Sequence, residues 1–304
     1  MSLDVSVIIP AYRAEASIQR ALSSVAAQTV LPREIIVVDD GSPDGTFAAA
    51  NACRANLGGI DLKVFRQGNA GAGAARNRAL REASSEFVAF LDADDEWLPE
   101  KLERSFKNME SNGLGLVAHN YLAVQADGAT NNADCALKYR EGRDPIVTLY
   151  RKGYLATATL ITRRELVFKA GGFDENLRNA QDFDLWLSIL ASGQVRFEVF
   201  DEILMRYHVT TDSITSNTRR RVQCCMKIAV RFAPILKNRP GGVYRNLWVR
   251  TLIVHAEGFQ AYRGRGEMLA AAAIVLRCAF SIAATTLKCL FNSRTTRPVF
   301  LTPQ

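Results

Sequence analysis

The chain has no cysteines at metal-ligand spacing: Cys53, Cys135, Cys224, Cys225, Cys278 and Cys289 form neither CxxC nor CxxxxH. A zinc site and a disulfide framework are therefore unsupported, and reduced thiols are expected. A basic, apolar leader is missing. Met1-Ser2-Leu3-Asp4-Val5-Ser6 runs straight into a strand pattern, so a cytoplasmic location is expected. No uncharged run reaches the roughly 18–20 residues of a membrane span; Arg277 divides the longest apolar segment, Glu267 to Leu290. Glycine is absent from Pro10-Ala11-Tyr12-Arg13, which disfavours a dinucleotide fingerprint after the first strand. Acid is scarce at one end only. Residues 219–304 carry 15 Lys/Arg against Glu257 and Glu267, a net of +13; since the whole chain is +7, residues 1–218 sum to −6. Such asymmetry predicts a body of residues 1–218 and a basic helical region of residues 219–304 that meets something anionic.

What is present is an ordinary globular balance, 48% hydrophobic and 23% charged in 304 residues. Val5 to Tyr12 and Glu34 to Val38 read as continuous apolar strands, Leu62 to Phe65 as a short third, and Phe87 to Leu91 as a fourth. Helical spacing separates them at 16–28, 44–57 and 75–83. Continuous rather than alternating runs point to a parallel sheet covered on both faces, hence an α/β class. Further strands are expected at 114–127, 157–162, 195–200 and 204–209, a loop at 127–145, and a helix from Gln181. Beyond Thr218 only helical periodicity remains, interrupted at Pro240-Gly241-Gly242. In Glu267–Leu290, Arg277, Ser281, Thr285 and Lys288 fall on one stripe at about 100° per residue. That pattern fits an interfacial helix or one packed on its neighbours.

The stretch Phe87 to Trp97 ends a buried strand in three carboxylates, Asp92, Asp94 and Asp95. Clustered acids need a cation or a helix N-terminus. One reading is a divalent metal bound with a diphosphate. The other is a cap for a helix opening at Leu98-Pro99.

Five stretches carry a family pattern: Val5–Tyr12; Val37-Val38-Asp39-Asp40-Gly41-Ser42; Asn69-Ala70-Gly71 with Ala75-Arg76-Asn77; Leu91-Asp92-Ala93-Asp94-Asp95; and Gly171-Gly172-Phe173-Asp174-Glu175 with Gln181-Asp182-Phe183-Asp184-Leu185-Trp186. From Val5 to Thr215 the chain resembles the bacterial-type, non-processive family 2 glycosyltransferases. The resemblance implies a GT-A fold, Rossmann-like with a mostly parallel sheet flanked by helices, followed here by a helical extension. It implies inverting transfer of a sugar from a nucleotide-sugar, UDP-sugar first, to a glycan or lipid-linked acceptor in cell-surface polysaccharide assembly.

The same resemblance implies the roles. Pro10, Tyr12, Asp39, Asp40, Arg76, Asp92 and Ala93 would bind the donor, with Asp39 and Asp40 sharing base and ribose in an order left open. Asp94 would hold Mn or Mg, and His208 would sit near the donor phosphates and metal. Ser213 and Thr215 match the end of that stretch. Asp182 would be the base; Gln181 departs from the family's acid pair and removes a like charge. Asp95 is assigned to the helix cap. The Q-x-x-R-W signature of processive members is absent. Rival readings are a nucleotidyltransferase, disfavoured by the glycine-free first turn, and a non-catalytic nucleotide-sugar binder. No nucleic acid is expected. Contact with an anionic membrane through the basic region is expected, and pairing of the C-terminal helices into a homo-oligomer is left open.

Overall fold

The computed structural model of the chain describes residues 2–209, 217–291 and 297–302. The alternation begins with β1 (Leu3–Ala11), α1 (Ile18–Ala26), β2 (Pro32–Asp39), α2 (Thr46–Ala52), β3 (Asp61–Arg66), α3 (Ala72–Glu82) and β4 (Phe87–Phe90). Strands β3, β2, β1 and β4 lie side by side and parallel. Their runs are continuously apolar because both faces are covered. Val7, Ile9, Ile35 and Val37 pack with Ile18, Leu22 and Val25 of α1. Ile8, Ile36 and Val38 point the other way, onto Ala75, Ala79 and Leu80 of α3. Each such fully buried side chain is worth about 1.5–3 kcal/mol relative to exposure.

The chain continues through β5 (Glu96–Trp97), α4 (Lys101–Asn112), β6 (Leu116–Val124), β7 (Thr130–Ala133), α5 (Cys135–Arg140), α6 (Pro145–Lys152), β8 (Ile161–Arg163), α7 (Arg164–Lys169), α8 (Gln181–Leu190) and β9 (Phe197–His208). The sheet order is β3-β2-β1-β4-β8-β6-β9-β5, with β7 hairpinned onto β6. β8 runs antiparallel to β4 and β6, whereas β6 and β9 are parallel.

Several expectations change here. The loop expected at 127–145 holds β7, α5 and most of the approach to α6. Asp134 accepts from the Leu137 N–H, and Asp144 from the Ile146 and Val147 N–H groups, so both helices are capped by side chains, the second with Pro145 at its first position. The strands expected at 195–200 and 204–209 are one strand, β9. Asp201 and Glu202 do not break it: Asp201 is exposed and accepts from Asn120 Nδ2 at 2.8 Å, beside a register shift in β6–β9 pairing. The strand expected at 157–162 is a 3-10 turn at Thr157–Thr159 followed by β8. The helix expected from Leu98 starts at Lys101 because Glu96 and Trp97 pair with Arg206 and Met205 of β9.

The last helices are α9 (Thr218–Phe232), α10 (Gly242–Gly264) and α11 (Met268–Phe291). Gly241 and Gly242 both take positive φ at the start of α10, the conformation that favours glycine. Cys224, Ile228, Ala229, Phe232 and Leu247 share a core with Tyr150, Trp186 and Leu190. Arg231 of α9 ion-pairs with Asp174 at 2.9 Å and with Asp184 of α8 at 2.5 Å. Arg297 reaches Asp184 from the other side at 2.5 Å and donates to the Ala170 and Gly172 carbonyls. Helix α11 crosses α10 where Gly258 meets Ile274; a Cβ at Gly258 would stand 2.4 Å from the Ile274 Cδ1. The helix has 24 residues and a mean hydropathy of 1.9 in its most apolar window, long and apolar enough by composition to cross a membrane. Arg277 does not disqualify it on that criterion, contrary to the expectation from uncharged run length. Only Ala271, Ile274 and Thr285 of α11 are buried, so packing on neighbours accounts for one face.

Two buried ionic sites should report on stability. Burial pushes the Glu34 carboxyl up, but the Lys63 ammonium, the Ser6 hydroxyl and the Ser84 N–H and hydroxyl outweigh it and hold it at about 2, against an ordinary 4.5. The unfolded chain therefore takes up this proton first, and the contribution of Glu34 is complete above pH 4.5 and lost as pH falls toward 2. Glu34→Gln should lower stability at neutral pH and flatten its decline across that window, read from urea midpoints at a series of pH values. Asp184→Ala removes the carboxylate that Arg231 and Arg297 share, leaving Arg231 with Asp174 and Arg297 with the Ala170 and Gly172 carbonyls, and should cost toward the lower end of about 3–5 kcal/mol in the same titration.

Candidate active site

The parallel strands deliver their carboxyl ends to one edge, where open α/β sheets bind ligands. Ala11 and Asp39 are register partners there, and the Asp40 N–H donates to the Ala11 carbonyl. The turns after β1 and β2 are stitched together: the Arg13 N–H donates to Ser42 Oγ at 3.0 Å and the Ala14 N–H to Thr46 Oγ1 at 2.8 Å. Arg13 takes a positive φ, uncommon for a non-glycine residue. Pro10 is half-buried in β1, and Tyr12 stands out at the edge, 46% exposed.

The two acids after β2 have different surroundings. Asp40 is buried and engaged: one oxygen accepts from Gln67 Nε2 (2.8 Å) and the Ala70 N–H (3.0 Å), the other from the Gly71 N–H (2.7 Å). It shapes the glycine loop that opens α3. Asp39 accepts from the Ser42 N–H at 3.0 Å and keeps its second oxygen against Arg66, which is itself half exposed. Arg76, on α3, is almost fully buried. It donates to Asp92 at 2.5 Å and lies over the Phe173 ring at 5.4 Å.

Behind β4 the chain turns tightly, with the Asp95 N–H donating to the Asp92 carbonyl. Ala93 is buried, while Asp92 and Asp94 are part-exposed. Burial, then the neighbouring Asp92 charge, pushes the Asp94 carboxyl up to about 6. An opposing cation would relieve both causes. Asp95 caps no helix. It is fully buried, accepts from the His208 N–H at 3.0 Å, and has a second oxygen without a partner among the described residues. Burial with Asp92 and Asp94 nearby raises its carboxyl well above the ordinary range. The cap assignment fails because β5 intervenes before α4. His208 turns its ring Nε2 toward Glu96, 3.4 Å away. Ser213 and Thr215 lie outside the described residues.

Asp182 sits in the first turn of α8. Its Oδ2 accepts from Thr157 Oγ1 at 2.9 Å and its Oδ1 from the Phe183 N–H at 2.8 Å. Helix α8 is tied to the strand-end acids by packing: Trp186 stands edge-on to Phe90, two residues before Asp92, and to Phe173. Trp186 is fully buried and serves as a packing residue. Asn77 links α3 to the same region, accepting from the Phe173 N–H and donating to its carbonyl. His119 is a core residue: burial, with Lys101 nearby, lowers its imidazole to about 3.

Sequence reading missed four contributors. Thr157 was hidden in a stretch that resembled a strand. Arg20 on α1 donates to the Asp94 carbonyl, and only the register of α1 against the β4 turn brings it there. Arg231 and Arg297 act on α8 from far along the chain.

Among the described residues no three His, Cys, Asp or Glu side chains gather to hold a metal by themselves. The donor set nonetheless fits a Mg- or Mn-type ion that completes its shell from a phosphate: such ions are held by one or two carboxylates plus substrate oxygens. The raised Asp94 carboxyl and the unpartnered Asp95 oxygen mark a local excess of negative potential.

Comparison with known proteins places the chain. The family described as Glycosyl transferase family 2 matches residues 6–169. The chain is 30% identical over 213 residues to the UDP-Glc:alpha-D-GlcNAc-diphosphoundecaprenol beta-1,3-glucosyltransferase WfgD of Escherichia coli, covering 70% of this chain and 80% of that one. It is 32% identical over 218 residues to the putative teichuronic acid biosynthesis glycosyltransferase TuaG of Bacillus subtilis, covering 70% and 82%. Among solved structures, S. aureus TarS 1–349 in complex with UDP-GlcNAc superposes with a TM-score of 0.66 at 21% identity over 97% of this chain and 90% of that one. The mannosyltransferase PcManGT from Pyrobaculum calidifontis, in complex with GDP-Man and Mn2+, gives 0.61 at 21% over 96% and 88%. These likenesses cover the chain through its C-terminal helices and show a shared fold. The strand-end acids, the ordered motifs and the matched residues together make this chain a glycosyltransferase of family 2.

Proposed function

We propose that the protein transfers a sugar, with inversion, from a nucleoside diphosphate sugar to a hydroxyl of a lipid-linked glycan during surface-polysaccharide assembly. The observation that carries this reading is the pairing of two carboxylate sites at one sheet edge: Asp92 and Asp94 behind β4, and Asp182 on the helix that packs Trp186 against Phe90. UDP is the preferred donor nucleotide. The named relative using UDP-Glc and the UDP-GlcNAc complex of a protein of the same fold support that choice. The lipid-diphosphate acceptor in the relative's name supports the acceptor class.

The chain's own residues divide the work. Asp39 offers its Oδ2 to a base N–H, with half-exposed Arg66 as the group displaced, while Asp40 keeps the glycine loop in shape. Pro10, Tyr12 and Ala93 line the base and ribose side, and Asp92, held by Arg76, receives the ribose. Asp94 would hold a divalent Mn or Mg, and His208, whose N–H binds the neighbouring Asp95, would assist only by turning its ring away from Glu96; the ion would supply countercharge for the departing diphosphate. Asp182, held by Thr157 Oγ1, takes the proton from the acceptor hydroxyl. That oxygen forms a bond to the anomeric carbon from the face opposite the diphosphate. The carbon–oxygen bond to the diphosphate breaks, and the nucleoside diphosphate leaves with the electron pair.

A donor panel scored by released nucleotide should single out one UDP-sugar. With that donor, Asp182→Asn should lower kcat by about 10²–10⁴-fold and leave donor affinity near wild type. Wild-type turnover in this variant would refute the base assignment. Separately, Mn should raise the melting temperature of the UDP-bound protein, and Asp94→Ala should abolish that increment. An undiminished increment would move the metal site elsewhere.

A further inference from the structure

Helix α11 is amphipathic the wrong way round for a helix covering a soluble body. The middle of its polar stripe faces inward, while Arg277 and Lys288 on the same stripe stay exposed. Ser281 Oγ lies 3.0 Å from His255 Nε2, Thr285 is buried, and Trp248 Nε1 donates to Thr286 Oγ1 at 2.9 Å. Its apolar stripe faces out. Leu269, Leu276, Phe280, Leu287 and Phe291 recur at intervals of 7, 4, 7 and 4, which keeps them on one line of an α-helix. They are 90%, 79%, 76%, 57% and 83% exposed. Helix α10 adds exposed Tyr244, Trp248 and Leu252. An exposed apolar surface of this length marks an interaction site.

We propose that this face lies in the plane of an anionic bilayer, with the stripe among the acyl chains. Charge selects the occupant. Beside the stripe runs a groove of about 980 Å³ between α9 and α11, bordered by Arg219, Lys227, Arg277 and Lys288. The surrounding region carries net +13 on a body of net −6. Lipid phosphates complement those cations. A second copy docked by the same face would bring like charges together, which disfavours self-association.

The helix is held in the plane at both ends. Arg265, just before α11, donates to Thr218 Oγ1 at 3.1 Å. At the other end only five residues separate Phe291 from Arg297, six Cα–Cα steps with a reach of about 20 Å at most, and Arg297 is fixed on Asp184 of the catalytic body. A span would carry the far end of this helix, about 36 Å long, across the bilayer. It would also pull α10 in, whose Arg250 donates to the Arg151 carbonyl of the body. The inference is independent of the transfer reaction, though it would bring the strand-end site to a lipid-linked acceptor.

Flotation of the full chain with vesicles tests it. The wild type should float with phosphatidylcholine–phosphatidylglycerol vesicles, more weakly at high salt and more weakly with phosphatidylcholine alone. Trp248 emission should shift to the blue on binding, since Trp97 and Trp186 are already buried. Leu276→Asp with Phe280→Asp should weaken partitioning at least about tenfold. Arg277→Gln with Lys288→Gln should remove the preference for phosphatidylglycerol. Both pairs lie outside the core, and unchanged thermal melts would show that they fold. Equal flotation of the double-Asp variant would overturn the proposal. So would a wild type that ignores the vesicles and sediments as a dimer that the double-Asp variant breaks. Resistance to alkaline carbonate extraction from native membranes would overturn the in-plane geometry in favour of a span.

Discussion

Strands β1, β2 and β4 are covered on both faces, and that constraint governs the rest of the molecule. A strand flanked by two cores has little room for a charge unless it is paired, as Glu34 near the start of β2 is by Lys63, Ser6 and Ser84. Charges free for a ligand can gather where the strands leave the sheet, and in this sheet the parallel strands leave toward the same edge. Asp39, Asp40, Asp92, Asp94 and Asp95 all emerge there. Their crowding follows from topology, and it raises the carboxyls of Asp94 and Asp95 through burial and mutual repulsion.

The edge is stabilised by assigning some acids to the protein and leaving others for ligands. Asp40 satisfies the glycine loop through three hydrogen bonds, and Asp95 accepts the His208 N–H, closing β9 onto the β4 turn. Arg76 neutralises Asp92 while remaining stacked over Phe173. What remains with least compensation is Asp94, the residue assigned to the metal. On the facing side, Asp182 depends on a chain of supports: Thr157 orients its carboxylate, Trp186 seats α8 on β4, and Arg231 with Arg297 grips Asp184 two residues on.

That grip gives the helical region a part in the site as well as a surface of its own. Arg231 belongs to α9 and Arg297 follows α11, so the elements that hold α8 also carry the outward apolar stripe. If α11 rests in a bilayer, helix α8 and the membrane are joined through a few buried ion pairs. Because two arginines share one buried carboxylate, loss of that carboxylate would leave both without their ion pair to it.

Much of this was legible in sequence. Continuous apolar runs specify parallel, doubly covered strands, because a half-exposed strand would alternate. Acid-terminated strands in order specify the carboxylate-rich edge and the family. Local signals for α5 and α6 were also present, as Asp134 and Asp144-Pro145, but a polar composition masked them. Tertiary structure alone decided which acids stay available. Asp39 and Asp40 are adjacent and chemically identical, and only the approach of the Gln67–Gly71 loop engages the second. Asp95 looked like a cap until two residues of β5 found their partners in β9. Periodicity likewise defined the two stripes of α11 but could not say which faced inward. That depended on His255 and Trp248 offering hydrogen bonds to the polar side, a contact between residues 26 and 38 positions apart in the chain.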